Sequence, residues 1–174
     1  MLQSQPTKVE INKTLQQLTS HFEGIFTPQI YADKFTFKHE NVTADLLYTC
    51  TSSEIMELTF EKIDKNFEFK LFSLSLIDRI FFSFFGNPKT TNYKKFNKRF
   101  RIETNNELKV KTALDPSACQ LFFNLLNSKN INSIMIHSNQ TKIIFTLNVW
   151  LKTVEELLHF INTSIKINQV LNHS

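Results

Sequence analysis

Glycine is nearly absent from this sequence. Only Gly24 and Gly86 occur in 174 residues, and they lie far apart. A glycine-rich loop therefore cannot form. This excludes the phosphate-cradling loops of P-loop enzymes, dinucleotide-binding folds and kinases, which need backbone without a Cβ close to phosphate. The glycine-flanked serine elbow is excluded for the same reason. Cysteine is scarce too. Cys50 and Cys119 are too few for a disulfide scaffold, and neither has a partner at metal-ligand spacing, so a reducing compartment is expected. No apolar run reaches the roughly 18 residues of a membrane span. The N-terminal residues show no apolar stretch behind a basic start. The sequence therefore reads as a soluble, cytoplasmic protein that could sit at the periphery of a membrane.

What is abundant is phenylalanine, with 18, and asparagine, with 17. Each buried Phe stabilises a core by about 1.5–3 kcal/mol, so the core is expected to be built of flat rings. Charged residues at 21% and hydrophobic residues at 41% are ordinary for a globular chain. The length suits one domain. Residues 1–11 are polar and read as a flexible N-terminus, with 12–171 as a single α+β domain.

The pattern predicts an α+β fold with a mainly antiparallel sheet of about eight strands and three or four helices, two of them in the second half. A helix over 13–23 would be capped by Asn12 and stopped by Gly24. Strand-like alternation follows over 33–39, 43–51, 54–63 and 66–74, as in a meander with one wet face. Ser75 and Asp78 have capping-box spacing and open a helix over 75–85, with Gly86 placed as its stop. A basic loop over 87–99 leads to a strand over 100–104. An Asn105-Asn106 turn and a strand over 107–114 come next. Asp115-Pro116 starts a helix running to 127. Strands over 132–137 and 142–149 flank a turn at 138–140, and the Thr153/Glu156 capping box starts a helix over 154–170. The halves read αββββα and ββαββα.

One segment stands out chemically. Between Phe85 and Ile102 there is no acidic residue, and Lys89, Lys94, Lys95, Lys98, Arg99 and Arg101 are interleaved with Tyr93, Phe96 and Phe100. Cations beside rings suit an anionic membrane surface or a nucleic-acid groove, where charges neutralise phosphate and rings insert or stack. The plainer reading makes the rings loop anchors and the cations a solvated face. The mild net charge of +4 favours a membrane or protein partner over nucleic acid. Just before it, Phe81, Phe82, Phe84 and Phe85 make a helix apolar nearly all round. It is either buried on both faces or offered to lipid or a partner groove. Phe-rich strands could also leave a patch that a homo-oligomer would cover.

Other chemistry is thin. Glu156 and His159 form Glu-x-x-His, half of a di-iron helix motif, without the remaining ligands. Cys119 lies in the first turns of a helix, where the macrodipole lowers a thiol pKa, but its neighbours Leu121, Phe122 and Leu125 mark a core face. Trp150 sits at a strand-to-helix junction as an anchor or a stacking platform. No catalytic residue, metal ligand or cofactor is assigned. The expected function is a non-catalytic binding or scaffolding module. The alternatives are a carrier of a small apolar ligand in a Phe-lined cavity and, least favoured, an enzyme.

Residues 93–171 carry a resemblance. Phe96, Phe100 and Ile102 are followed by Ala113-Leu114-Asp115-Pro116 opening a helix with Leu121 and Leu125. The hairpin Ile134/Ile136 and Ile143-Ile144/Leu147 precedes a terminal amphipathic helix. This order resembles the C-terminal portion of an uncharacterised bacterial family of membrane-linked proteins. That family carries transmembrane helices upstream, which this sequence does not show. The resemblance implies no activity and no site residues.

Overall fold

The computed structural model describes residues 8–50, 54–61, 67–85, 91–126, 131, 133–139, 141–149 and 151–172. Helix α1 (Lys8–Gln17) runs into a 3-10 turn (Leu18–Ser20) and is followed by β1 (Glu23–Thr27), β2 (Ala32–His39), β3 (Val42–Cys50), β4 (Glu54–Glu61) and β5 (Phe69–Ser73). Then come α2 (Leu76–Phe85), α3 (Lys94–Asn97), β6 (Phe100–Thr104), α4 (Glu107–Ala113), α5 (Pro116–Leu126), β7 (Met135–Ser138), β8 (Lys142–Leu147) and α6 (Val154–Asn172). The strands form one eight-stranded sheet in the order β1-β2-β3-β4-β8-β7-β5-β6. Every pairing is antiparallel. The fold is α+β, as the sequence pattern predicts.

Alternation along the strands separates two faces. Phe35, Phe37, Leu46, Tyr48, Met56, Leu58, Phe60, Ile136, Ile143 and Phe145 are buried, while Thr36, Asp45, Glu57, Thr59 and Thr146 on the opposite face are not. The period of two in side-chain direction makes this separation unavoidable once the register is set. Ile11, Leu15 and Leu18 of the N-terminal helical segment join the same core, as do Phe122 and Leu125 of α5 and Leu157, Phe160 and Ile161 of α6. The rings pack on one another, with Phe22 and Phe37 centroids 4.7 Å apart and Phe60 and Phe145 at 5.5 Å. Offset and edge-on ring pairs add stabilisation beyond area burial.

Three helix starts follow the caps expected from sequence. The Ser75 backbone N–H and hydroxyl donate to Asp78 Oδ2 at 3.0 and 2.6 Å, and the Asp78 N–H donates to Ser75 Oγ at 3.1 Å. Asp115 Oδ1 accepts from the Ala118 N–H at 2.7 Å and the Ser117 hydroxyl at 2.8 Å. The Glu156 N–H donates to Thr153 Oγ1 at 3.2 Å, and the Thr153 N–H donates to Glu156 Oε2 at 3.4 Å. The β7–β8 turn is closed by Asn139, whose Oδ1 accepts from the N–H groups of Thr141 and Lys142 at 3.0 and 2.8 Å.

Residues 107–114 are not a strand. They form α4 and the Leu114 cap that ends it, so the second half reads βααββα. Asn106 is not a hairpin turn residue. Its Oδ1 accepts from the Lys109 N–H at 3.0 Å and starts the helix. Alternation would place Leu108 with Val110 on one face, but the helix buries Val110, Ala113 and Leu114 and leaves Leu108 exposed. Residues 23–27, not read as a strand from sequence, form β1. The first helix begins at Lys8 rather than 13, so residues 8–11, expected to be flexible, are helical. Gly24 is a strand residue opposite Phe37 rather than a helix stop. A Cβ there would lie 2.7 Å from the Thr36 carbonyl oxygen and 2.8 Å from Phe37 Cβ. Glycine is what lets β1 approach the Phe-bearing strand. At the β2–β3 turn Glu40 takes φ 55°, a left-handed conformation that glycine usually fills.

Gly24→Ala must push β1 away from β2 or displace the Phe35 ring. A loss of about 1–3 kcal/mol in urea unfolding is expected, the cost of overpacking. The caps also carry a pH dependence. Asp78, with Ser75 as its donor, and Asp115, with Ala118 and Ser117 as donors, are held below the usual carboxylate range. Their folded pKa values lie below the unfolded value of about 3.9. Their contribution is therefore complete above that value and is lost as pH falls through the folded values. Stability should decline on acidification below about pH 4, and less steeply in Asp115→Asn, as read from urea midpoints across acid pH.

Candidate interaction surface

Strands β5 and β6 lie at the end of the sheet, and the chain between them carries both α2 and α3. Ser73 is in register with Phe100, and just beyond this pair the Leu74 N–H donates to the Arg99 carbonyl at 2.8 Å. The start of α2 and the end of the basic segment are thus fastened together at the same end of two paired strands.

Helix α2 is not buried on both faces. Leu76, Ile77, Ile80 and Phe81 are 66%, 78%, 54% and 53% exposed. Their spacing of one and four residues puts them on one side of the helix. Leu76 and Ile77 escape a sequence reading centred on the Phe cluster. Their adjacency at the first turn, repeated by Ile80 and Phe81 one turn later, is the signal that could have found them. The side chains of Phe82, Phe84 and Phe85 lie outside the described residues.

The basic segment divides its residues by burial. Phe96 and Phe100 are buried with ring centroids 4.4 Å apart, and both contact Phe122 and Phe123 edge-on. Half-buried Tyr93 meets Phe123 edge-on at 6.2 Å. Phe96, a candidate contact residue from sequence, is therefore an anchor in the core. Lys94, Lys95 and Lys98 are exposed, and none forms an ion pair with another described residue. Arg99 is half-buried. Arg101 is drawn to the open sheet face, 3.3 Å from Glu103 and with its guanidinium 5.9 Å from the Phe72 ring centroid. Lys89 lies outside the described residues.

A buried clamp fixes this segment. The Thr91 N–H and hydroxyl donate to Asn97 Oδ1 at 3.1 and 2.9 Å, and Asn97 Nδ2 donates to the Thr91 carbonyl at 2.7 Å. The Tyr93 N–H donates to Thr91 Oγ1 at 3.2 Å. Both residues are buried, so these bonds replace water that the loop cannot reach. The lysines at 94, 95 and 98 are held on a rigid turn by groups facing inward.

The remaining candidates do not assemble a reaction site. Cys119 is fully buried and its thiol lies 3.6 Å from the Leu114 carbonyl. Burial, with the Asp115 carboxylate adding to it, pushes the thiol up to about 12, opposite to the lowering that a helix start would give. Glu156 is engaged with the N–H groups of Lys152 and Thr153, and His159 Nε2 lies 3.2 Å from the Asn124 carbonyl, so the two do not converge on one point. No group of three His, Cys, Asp or Glu residues that could hold a metal ion is found among the described residues. A groove of about 460 Å³ between α1 and the start of α6 is lined by Thr14, Gln17, His21 and Thr153. Its lining is polar and open, unlike the apolar cavity that a lipid carrier requires. Trp150 lies outside the described residues.

Asn97→Ala leaves the buried Thr91 N–H and carbonyl without their Asn97 partners. Loss of a buried hydrogen-bonded group costs about 1–3 kcal/mol. The expected outcome is a fall of that size in urea unfolding, with faster amide hydrogen exchange in 91–98 than in the β3–β4 ladder.

No family model matches this chain, and no curated protein matches it. Among solved structures, the crystal structure of the mycobacterial trehalose monomycolate transport factor A, TtfA, is similar, with a TM-score of 0.60 over 92% of this chain and 94% of that chain. Identity is 9%, so what the two share is the fold. None of the helices among the described residues is long and apolar enough to cross a membrane.

Proposed function

We propose that this chain is a non-catalytic binding module that docks on an anionic lipid surface through the β5–β6 connection. The observation that carries this reading is the exposed apolar side of α2, fastened at its start to a rigid turn that presents Lys94, Lys95 and Lys98. An amphipathic helix of this kind seats its apolar side about 5–10 Å into the boundary between headgroups and acyl chains. Each lysine near an anionic surface contributes about 1 kcal/mol, and salt weakens that contribution. The buried thiol and the separated Glu156 and His159 support a binding role over catalysis. The fold shared with a transport factor is in keeping with it.

Co-sedimentation with phosphatidylglycerol and phosphatidylcholine vesicles tests the proposal. Binding should require the anionic lipid and fall as salt is raised. Lys94→Glu should weaken it about fivefold or more, as should Lys98→Glu, and Ile77→Asp should abolish insertion without changing the thermal midpoint. Equal binding to both vesicle types, or retention on single-stranded DNA with none on vesicles, would sink it.

A further inference from the structure

The two edges of the sheet differ. The β6 edge carries Arg101 and Glu103, charges that protect an edge from pairing with another chain. The β1 edge reads Glu-Gly-Ile-Phe-Thr, with no lysine, no proline and a continuous, bulge-free register against β2. Its one charge, Glu23, stands at the end of the strand. Among the described residues no strand pairs with β1 on the side facing away from β2. Ile25, at the middle of the strand, is 72% exposed. An edge with an unbroken register and an apolar, uncharged centre is a template for strand addition.

We propose that the β1 edge is a self-association surface, on which a second copy adds its own β1 antiparallel about a two-fold axis through Ile25. The sequence of β1 fits itself in that register. Ile25 meets the second copy's Ile25, Glu23 meets Thr27, and Gly24 meets Phe26. Glu23 lies beside its own Lys38, and Thr27 beside Lys34. Each row on the open face then reads Lys38, Glu23, the second copy's Thr27 and its Lys34, so an acid sits between lysines and no like charges adjoin. On the opposite face Gly24 adds no side chain of its own between Phe35, which already covers it, and the second copy's half-buried Phe26. A two-fold contact is closed, so association stops at the dimer. A five-residue strand buries little area, and the dimer is therefore weak and concentration-dependent.

Sedimentation velocity over a concentration series reads the outcome. The wild-type chain should move from monomer to dimer mass as concentration rises. Ile25→Lys and Ile25→Glu place like charges across the axis, and each should remain monomeric with the wild-type thermal midpoint, since the site is exposed. Mixed together, the two variants should form a heterodimer, because the new lysine of one chain then faces the new glutamate of the other. A wild-type monomer at all concentrations overturns the proposal, as does a dimer that survives Ile25→Lys. So does a dimer lost in Ile77→Asp but not in Ile25→Lys, which would place the contact on α2.

Discussion

The hairpin of β7 and β8 lies between β4 and β5, and the rest of the structure depends on that insertion. Without it the sheet is two pieces, β1–β4 and β5–β6, neither with a neighbour to complete it. The hairpin pairs with β4 through β8 and with β5 through β7, in unbroken register on both sides. It also supplies Ile136, Ile143 and Phe145 to the ring-rich core. Pairings between strands so distant in sequence are costly in chain entropy. What offsets the cost is the continuous apolar face that only the complete sheet can offer to α1, α5 and α6.

That arrangement also explains where an interaction surface can arise. The connection between β5 and β6 leaves and returns at the end of the sheet, held by the bond from Leu74 to Arg99. Phe96 and Phe100 pull the returning segment into the core, and the Asn97–Thr91 clamp makes it rigid. The lysines face outward because their neighbours face inward. Mobile basic loops lose entropy on binding, whereas a segment already fastened has little left to lose. The opposite edge of the sheet ends at β1, where the single charge stands at the strand's end and the centre is apolar. The two proposed surfaces therefore stand at opposite ends of the strand order.

Much of the fold was legible in local patterns. The caps at Ser75/Asp78, Asp115 and Thr153/Glu156 involve residues three apart, so their geometry is decided within one turn and survives any tertiary context. The Asn139 turn is of the same kind. Sequence pattern and structure part where a local pattern has two solutions. Residues 107–114 alternate well enough for a strand, but Asn106 caps them as a helix and the core takes Val110, Ala113 and Leu114. β1 is short and contains glycine, so propensity could not identify it, and its partner β2 did. Gly24 suggests a helix stop by its backbone freedom, whereas its use is the absence of a Cβ beside Phe37.

The sequence alone determined the exclusions and the local joints. Two glycines rule out phosphate loops, 18 Phe set a ring-built core, and an acid-free stretch marks where cations gather. It could not say which cations and rings reach the surface. Phe96 and Lys95 are adjacent, yet one is in the core and the other in solvent. An apolar helix such as α2 could equally have been buried. Only the strand order decided these, because exposure is set by what else packs nearby, and that depends on contacts between residues far apart in the chain.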